Sequence, residues 1–411
     1  MSLQRQVSLG TIRKTIVISA ANSSLPSYVT ESVAEIENLP GVAFGKSIGG
    51  IINEGTLDLA VGCTGLSFTD VQSCHEPMSY YEKIFSAISN VRPYWEKLAG
   101  ISKSAYRAGV SIYWGESPEM RPLKKEDTPF LWDKILREAD TSLLRLGVPL
   151  TYDPRGNGIY LIHHDTVDGL TDKDLAFLLT QPVITDGESV AKIIKRGYGK
   201  HFAFTTQYIG NNTEEHFTDN PITGDMSILF YNENPISSKP MKRVIFENVD
   251  HRTVILGNAY NGHFLSDGRL LGPCTVVTEI QHAKNEPPVK WAIFGYSIWS
   301  DIVSAAKRNQ ILSALDAIGD IPARILSDEQ AVIYISVNEQ RKTVALTISA
   351  ASQNGAQDLK IAVRNPNGTR ISALSTKNES PKFSVEAKKD GELLITIQSM
   401  VPYETLTLFF E

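Results

Sequence analysis

Val33-Ala34-Glu35-Ile36-Glu37-Asn38-Leu39-Pro40-Gly41 alternates with the period of a strand and then stops at a turn. Successive side chains of a strand point to opposite faces, so Val33, Glu35 and Glu37 share one face while Ala34 and Ile36 share the other. Two carboxylates on one face of a sheet are costly to bury. A fold tolerates them where water, a sugar or a cation meets them, and the end of a βα-barrel strand is such a place. A solvated strand end carrying two exposed acids is the plainer alternative.

Around this strand, residues 12–72 read as strand (Ile12–Ala20), strand (Val33–Glu37), helix (about Ile48 to Ala60) and strand (Thr64–Thr69), the alternation of a parallel sheet or barrel. A closed βα barrel has eight strands, so these describe either a small layered unit or the tail of a barrel. A helix follows from about Ser79 to Asn90, and Pro93 is expected to break it. From Gly109 strands and helices alternate again: Gly109–Trp114, the helix Pro129–Leu146, strands at Val148–Tyr152, Ile159–His163 and Pro182–Asp186, and a helix Glu188–Gly197. Thr171 and Asp174 resemble a capping box. The stretch Thr205 to Gly224, rich in Asn, Thr and Gly, reads as a long irregular loop. Later strands are expected at Ser227–Tyr231, Val244–Glu247, Thr253–Gly257 and Trp291–Tyr296, with a closing helix Val303–Ile318. This is the pattern of an open, doubly wound α/β domain. After Gly319 the helical period disappears, and short strands separated by turn residues predict an antiparallel β-sandwich.

The 411 residues, 42% hydrophobic and 21% charged, belong to an ordinary globular protein of two or three domains. A formal net charge of −6 without a basic run argues against nucleic acid and leaves neutral carbohydrate compatible. Cys63, Cys74 and Cys274 neither pair evenly nor follow metal-ligand spacing, so free thiols in a reducing, cytoplasmic compartment are expected. No segment reads as a signal peptide or a membrane span, so no membrane partner is expected. Met1-Ser2-Leu3 reads as an artificial start to a fragment of a longer chain.

The combination of Glu35-Ile36-Glu37-Asn38-Leu39-Pro40-Gly41 with Phe44-Gly45-Lys46-Ser47, Gly62-Cys63-Thr64-Gly65-Leu66 and the phrases Leu170-Thr171-Asp172 and Thr185-Asp186-Gly187 resembles glycoside hydrolase family 42, the β-galactosidases and their relatives. The resemblance implies the end of a catalytic barrel over 1–102, a Rossmann-like domain of the class I glutamine-amidotransferase type over 103–321, and a small antiparallel β-sandwich over 322–411. It implies Glu37 as the nucleophile of a retaining glycosidase, with the acid/base glutamate on an earlier strand before residue 1, so that this chain alone is inactive. It also implies a homotrimer built by the amidotransferase-like domain, and 205–224 is the stretch expected to reach a neighbour or cover the cleft. Glu35, deeper on the strand, is expected to orient substrate, and Asn38 and Lys46 to hydrogen-bond sugar hydroxyls. Of the other acids near that strand end, Glu31, Asp70 and Glu76, none has a motif behind it. The competing reading is a non-catalytic carbohydrate-binding or oligomerisation protein on the same scaffold.

Other chemistries have less behind them. Gly62-Cys63-Thr64-Gly65 and Gly272-Pro273-Cys274-Thr275 are half matches to the strained cysteine elbow of an amidotransferase. His163-His164-Asp165 and Cys74-His75-Glu76 cluster ligand types, but adjacent residues on a strand diverge and need help from elsewhere to hold one ion. No metal and no cofactor are therefore expected. Gly41–Gly50 lacks phosphate-loop spacing, and Tyr106, Tyr113, Trp114 and Trp132 read as packing.

Overall fold

The computed structural model of the chain describes residues 3–26, 28–37, 45–69, 76–113, 143–153, 155, 158–210, 213–222, 229–231, 243–261, 268–283, 286–296, 305–350, 354–377, 381–388 and 391–411. It is a mixed α/β protein with several sheets, divided into two compact units: 1–111 with 143–157 and 322–411, and 112–142 with 158–321. The expected helix over 129–146 and Trp114 fall largely outside the described residues, as do Cys74, His75 and Asp70. Among the described residues, no helix is long and apolar enough to cross a membrane.

The first unit opens with α1 (Leu3–Ser23), β1 (Val33–Glu37), α2 (Ile48–Ala60), β2 (Gly65–Thr69) and α3 (Glu82–Ser104). β1 and β2 are parallel, with Glu35 opposite Ser67 and Glu37 opposite Thr69. β1, α2 and β2 stand where the sequence places them. The strand expected over Ile12–Ala20 is instead part of α1. From Gly10 on its buried residues are Ile12, Thr15, Ile16, Ser19 and Ala20, the i, i+3, i+4, i+7, i+8 stripe of a helix. Two of those five are hydroxyl residues, so the apolar residues alone did not show the period. Nor does Pro93 end α3, which continues to Ser104. Pro93 and Ser89, whose carbonyl loses its intrahelical donor, both lie on the exposed side where water can serve. Tyr94, Trp95 and Leu98 carry the packing on the other side.

α2 starts where the Ser47 hydroxyl accepts the Gly50 N–H (3.1 Å), and it stops where Gly62 takes φ +115°, a conformation that costs little only for glycine. Between them every residue from Ile51 to Ala60 is buried. The apolar face of the β1–β2 pair, with Ala34, Ile36, Leu66 and Phe68, packs on α2 and α3. At roughly 1.5–3 kcal/mol for a fully buried side chain, Ile36 alone resists any one-residue slip of β1.

The rest of the unit is the expected antiparallel sandwich. One sheet runs in the order Ala323–Ile325, Ala356–Val363, Leu393–Met400, Phe383–Ala387; the other runs Ile371–Ser375, Thr405–Phe410, Thr343–Ala350, Ala331–Val337, Tyr106–Ala108. Alternate residues such as Ile333, Ile335, Leu346, Ile348, Ile361, Ile395 and Leu408 share one core. The five-stranded sheet is buried on its second face as well: Asn53 Nδ2 on α2 donates to Ser349 Oγ (3.0 Å) and Thr405 Oγ1 (2.9 Å), and the hydroxyls of Tyr94 and Thr407 share a bond of 2.6 Å.

In the second unit the sheet order is Leu229–Tyr231, Thr213–Phe217, Thr253–Asn261, Arg269–Ile280, β5 (Val289–Phe294), β4 (Val183–Asp186), β3 (Tyr160–Ile162). β3, β4 and β5 are parallel and the other pairings antiparallel, so the expected open parallel sheet is realised in only part of its width. Helices α4 (Asp172–Leu178), α5 (Gly187–Ile193) and α6 (Ala305–Ile318) accompany it. The Thr171–Asp174 capping box is formed, and Gly197 takes φ +97° after α5 as the stop signal requires.

The irregular loop expected over 205–224 is corrected: Thr205–Ile209 and Thr213–Phe217 are strands. The second was concealed because two of its three buried residues, Glu214 and Glu215, are acids. Glu215 accepts from Thr275 Oγ1 (2.5 Å), Lys307 Nζ (2.8 Å), Gln310 Nε2 (3.1 Å) and the Tyr296 hydroxyl, and it fills the space where a side chain on Gly257 would stand.

Candidate functional site

The face of β1 that does not pack on the helices carries Val33, Glu35 and Glu37, all exposed, as the strand period requires. Glu37 is the last residue of the strand, at its carboxyl end. Glu35 is two residues deeper, about 7 Å along the backbone. Its Oε1 accepts the Thr69 hydroxyl from β2 at 2.5 Å. Parallel pairing puts the two strand ends level, so Thr69 sits beside both acids.

Behind β1 lies a cluster of charge. Lys14 Nζ on α1 reaches the Glu35 carbonyl (2.5 Å) and Glu54 Oε1 (2.6 Å), and it stands 3.2 Å from Asp58 Oδ2. Lys46 Nζ lies 2.5 Å from Glu54 Oε2. Glu54 and Asp58 are one helical turn apart on α2, so two like charges share one face. Asp58 is fully buried, and neither of its oxygens has a hydrogen bond among the described residues. Burial pushes Asp58 up to about 7, against the pull of Lys14. For Lys14, burial works against the charge, but Asp58 and Glu54 outweigh it and hold the ammonium above the usual lysine range.

Glu35 and Glu37 are thus brought together on one open face. The Lys46 ammonium is paired with Glu54. Asn38 lies outside the described residues, and Glu76 accepts the Tyr81 hydroxyl (2.6 Å). Sequence reasoning missed Lys14, Glu54 and Asp58. The available signal was a pair of acids four residues apart inside an otherwise apolar helix, a position that requires a cation nearby.

The two described cysteines are buried, and burial raises both thiols above their ordinary range. A cysteine nucleophile requires the opposite shift.

An exposed carboxylate at the end of a parallel strand, with a second held two residues deeper and a hydroxyl alongside, can attack or orient an electrophilic carbon and bind hydroxyl groups. No protein-family model matches the sequence, and no curated protein sequence matches it. Among solved structures, the fold is similar to that of alpha-L-fucosidase isoenzyme 2 from Paenibacillus thiaminolyticus, with a TM-score of 0.57 and 12% sequence identity. The match covers 89% of this chain and 58% of the fucosidase, so the chain spans little more than half the length of that enzyme. The likeness is one of fold: a glycoside-hydrolase-like α/β architecture.

Proposed function

We propose that this chain carries the nucleophile strand of a retaining glycoside hydrolase, with Glu37 as the nucleophile. The observation that carries the reading is the position of Glu37: exposed, at the carboxyl end of β1, in a parallel pair flanked by α1, α2 and α3. In the first step the Glu37 carboxylate attacks the anomeric carbon while a second carboxyl group, about 5 Å away, protonates the departing oxygen. Water then hydrolyses the glycosyl ester on Glu37. Glu35, steadied by Thr69, orients a sugar hydroxyl, and Asn38 supplies another polar contact. Lys46 acts through Glu54 and not on the sugar. The acid/base is assigned to sequence outside these 411 residues, so the isolated chain has little activity on glycosides with poor leaving groups.

The second unit is assigned the amidotransferase-like, trimer-building role of the family 42 architecture. A neutral glycoside is the substrate class, and an aryl α-L-fucoside is the first to try, because the enzyme of similar fold is a fucosidase.

A 2-deoxy-2-fluoroglycosyl inactivator tests the assignment in the natural full-length protein. The expected label is on the peptide containing Glu37, with turnover lost in Glu37→Gln. A label elsewhere, or full turnover by that variant, overturns it. Sugar binding without label or turnover identifies a carbohydrate-binding scaffold instead. Hydrolysis of an alkyl glycoside by the 411-residue chain alone, abolished by Glu37→Gln, overturns the placement of the acid. Sedimentation as a clean monomer overturns the trimer.

A further inference from the structure

The second unit holds a cluster that the glycosidase reading does not use. β3 and β4 are neighbouring parallel strands with Ile162 opposite Thr185, so the next residue of each, His163 and Asp186, leaves the sheet side by side at its carboxyl edge. In open α/β sheets that edge is where ligands bind. Two consecutive residues of a strand would diverge, but a one-turn helix begins at His164 and turns its ring back onto His163. The two imidazole centroids are 4.0 Å apart, with their planes inclined by 36°. One ligating atom from each of His163, His164 and Asp186 lies within 4.8 Å of the others, the only such group of three among the described residues.

We propose that His163, His164 and Asp186 form a binding site for a divalent transition-metal ion of the zinc class, with solvent completing the coordination. Two imidazoles and a carboxylate are a donor set that zinc takes at about 2.0–2.2 Å, whereas magnesium and calcium prefer oxygen throughout. The site is built before an ion arrives. Asp186 is 2% exposed, and its Oδ1 accepts the Ser189 N–H at 2.8 Å while Oδ2 accepts the His164 N–H at 3.1 Å. Lys192 Nζ fixes the His164 carbonyl (2.8 Å) and Asp168 (2.7 Å).

His164 Nδ1 and Asp186 Oδ2 are now 3.0 Å apart and share a proton. A tetrahedral ion spaces neighbouring ligand atoms by about 3.3 Å, so this pair has only a few tenths of an ångström to open. The ion takes the place of the shared proton, which moves to Nε2 of the same ring. Both histidines are partly exposed, which leaves solvent access to an ion held there.

The test uses the whole 411-residue chain, stripped with chelator and then titrated with Zn²⁺ by calorimetry and with Co²⁺ by absorption. One ion per chain, Co²⁺ bands of a low-coordinate site with nitrogen ligands, and a Zn²⁺-dependent rise in Tm are expected. His163→Ala should weaken Zn²⁺ binding at least tenfold and abolish the Tm rise while leaving the circular dichroism of the metal-free chain unchanged. Asp186 also caps α5, so Asp186→Asn is the less clean variant. Absence of binding, undiminished affinity in His163→Ala, or a Co²⁺ spectrum without nitrogen ligation overturns the site. If His163→Ala does not fold, His164→Gln takes its place with the same two readouts.

Discussion

Asp58 in the first unit and Glu215 in the second are both buried acids beside a lysine. Lys14 approaches Asp58 to 3.2 Å, yet neither Asp58 oxygen has a hydrogen bond among the described residues. Glu215 accepts from a lysine, a tyrosine, a threonine and a glutamine. Burial carries Asp58 up to about 7, and in the closed network around Glu215 burial pushes the lysine, Lys307, down against the pull of Glu215. Depth alone does not decide how a buried acid is satisfied; the number of donors aimed at it does.

Removing the cation from the closed network should have the largest effect. Lys307→Ala leaves Glu215 buried without its counter-charge and should cost about 3–5 kcal/mol in urea unfolding. A loss below about 1 kcal/mol would mean that the hydroxyl and amide donors suffice, and the contrast would fail. Asp58 tests the other side. Its folded pKa lies above its unfolded value, so the stability it contributes is fully present below about pH 4 and is lost as pH rises through about 7. Relative to wild type, Asp58→Asn should therefore gain stability between pH 4 and pH 8, on the order of 4 kcal/mol. A pH-independent difference between the two proteins would refute the raised titration.

An intermediate case is Asp174, buried at the capping box, which accepts from the Thr171 N–H (2.8 Å), the Thr171 hydroxyl (2.6 Å) and the Tyr113 hydroxyl (2.8 Å). Thr171→Ala removes one donor and the cap, and should lower stability by about 1 kcal/mol, read as a shift of the denaturation midpoint at unchanged slope. The smallest effect belongs to the exposed acid. Glu37→Gln should change stability by no more than about 0.5 kcal/mol, which separates any loss of glycoside turnover in that variant from unfolding.

Where burial follows apolar residues, the sequence was readable. β1, α2 and β2 fall within a residue or two of expectation, as do the sandwich strands Ala331–Val337 and Thr343–Ala350, because Ile36, Ile51, Ile333 and Leu346 declare their inward face. Where a polar residue faces inward, it was not. α1 hid its period behind Thr15 and Ser19, and Thr213–Phe217 passed for a loop because Glu214 and Glu215 are two of its three buried residues. The site divides in the same way. Glu35 and Glu37 were visible from strand period alone, but the partner of Lys46 was not, since pairing with Glu54 depends on how residue 46 enters α2. The cluster of His163 and His164 needed Asp186, a residue 22 positions later that only strand pairing brings alongside.

The lysines near β1 have a consequence for what that strand can attract. Lys14 and Lys46 are both committed to Glu54 and Asp58, while Glu35 and Glu37 have no ion pair among the described residues. The open face of β1 therefore presents an uncompensated negative field to anything that approaches within a Debye length, about 8 Å at physiological ionic strength. Anionic groups meet repulsion there, and uncharged ones do not. The same field draws positive charge towards the strand, so that the arrangement discriminates by charge before any finer contact is made.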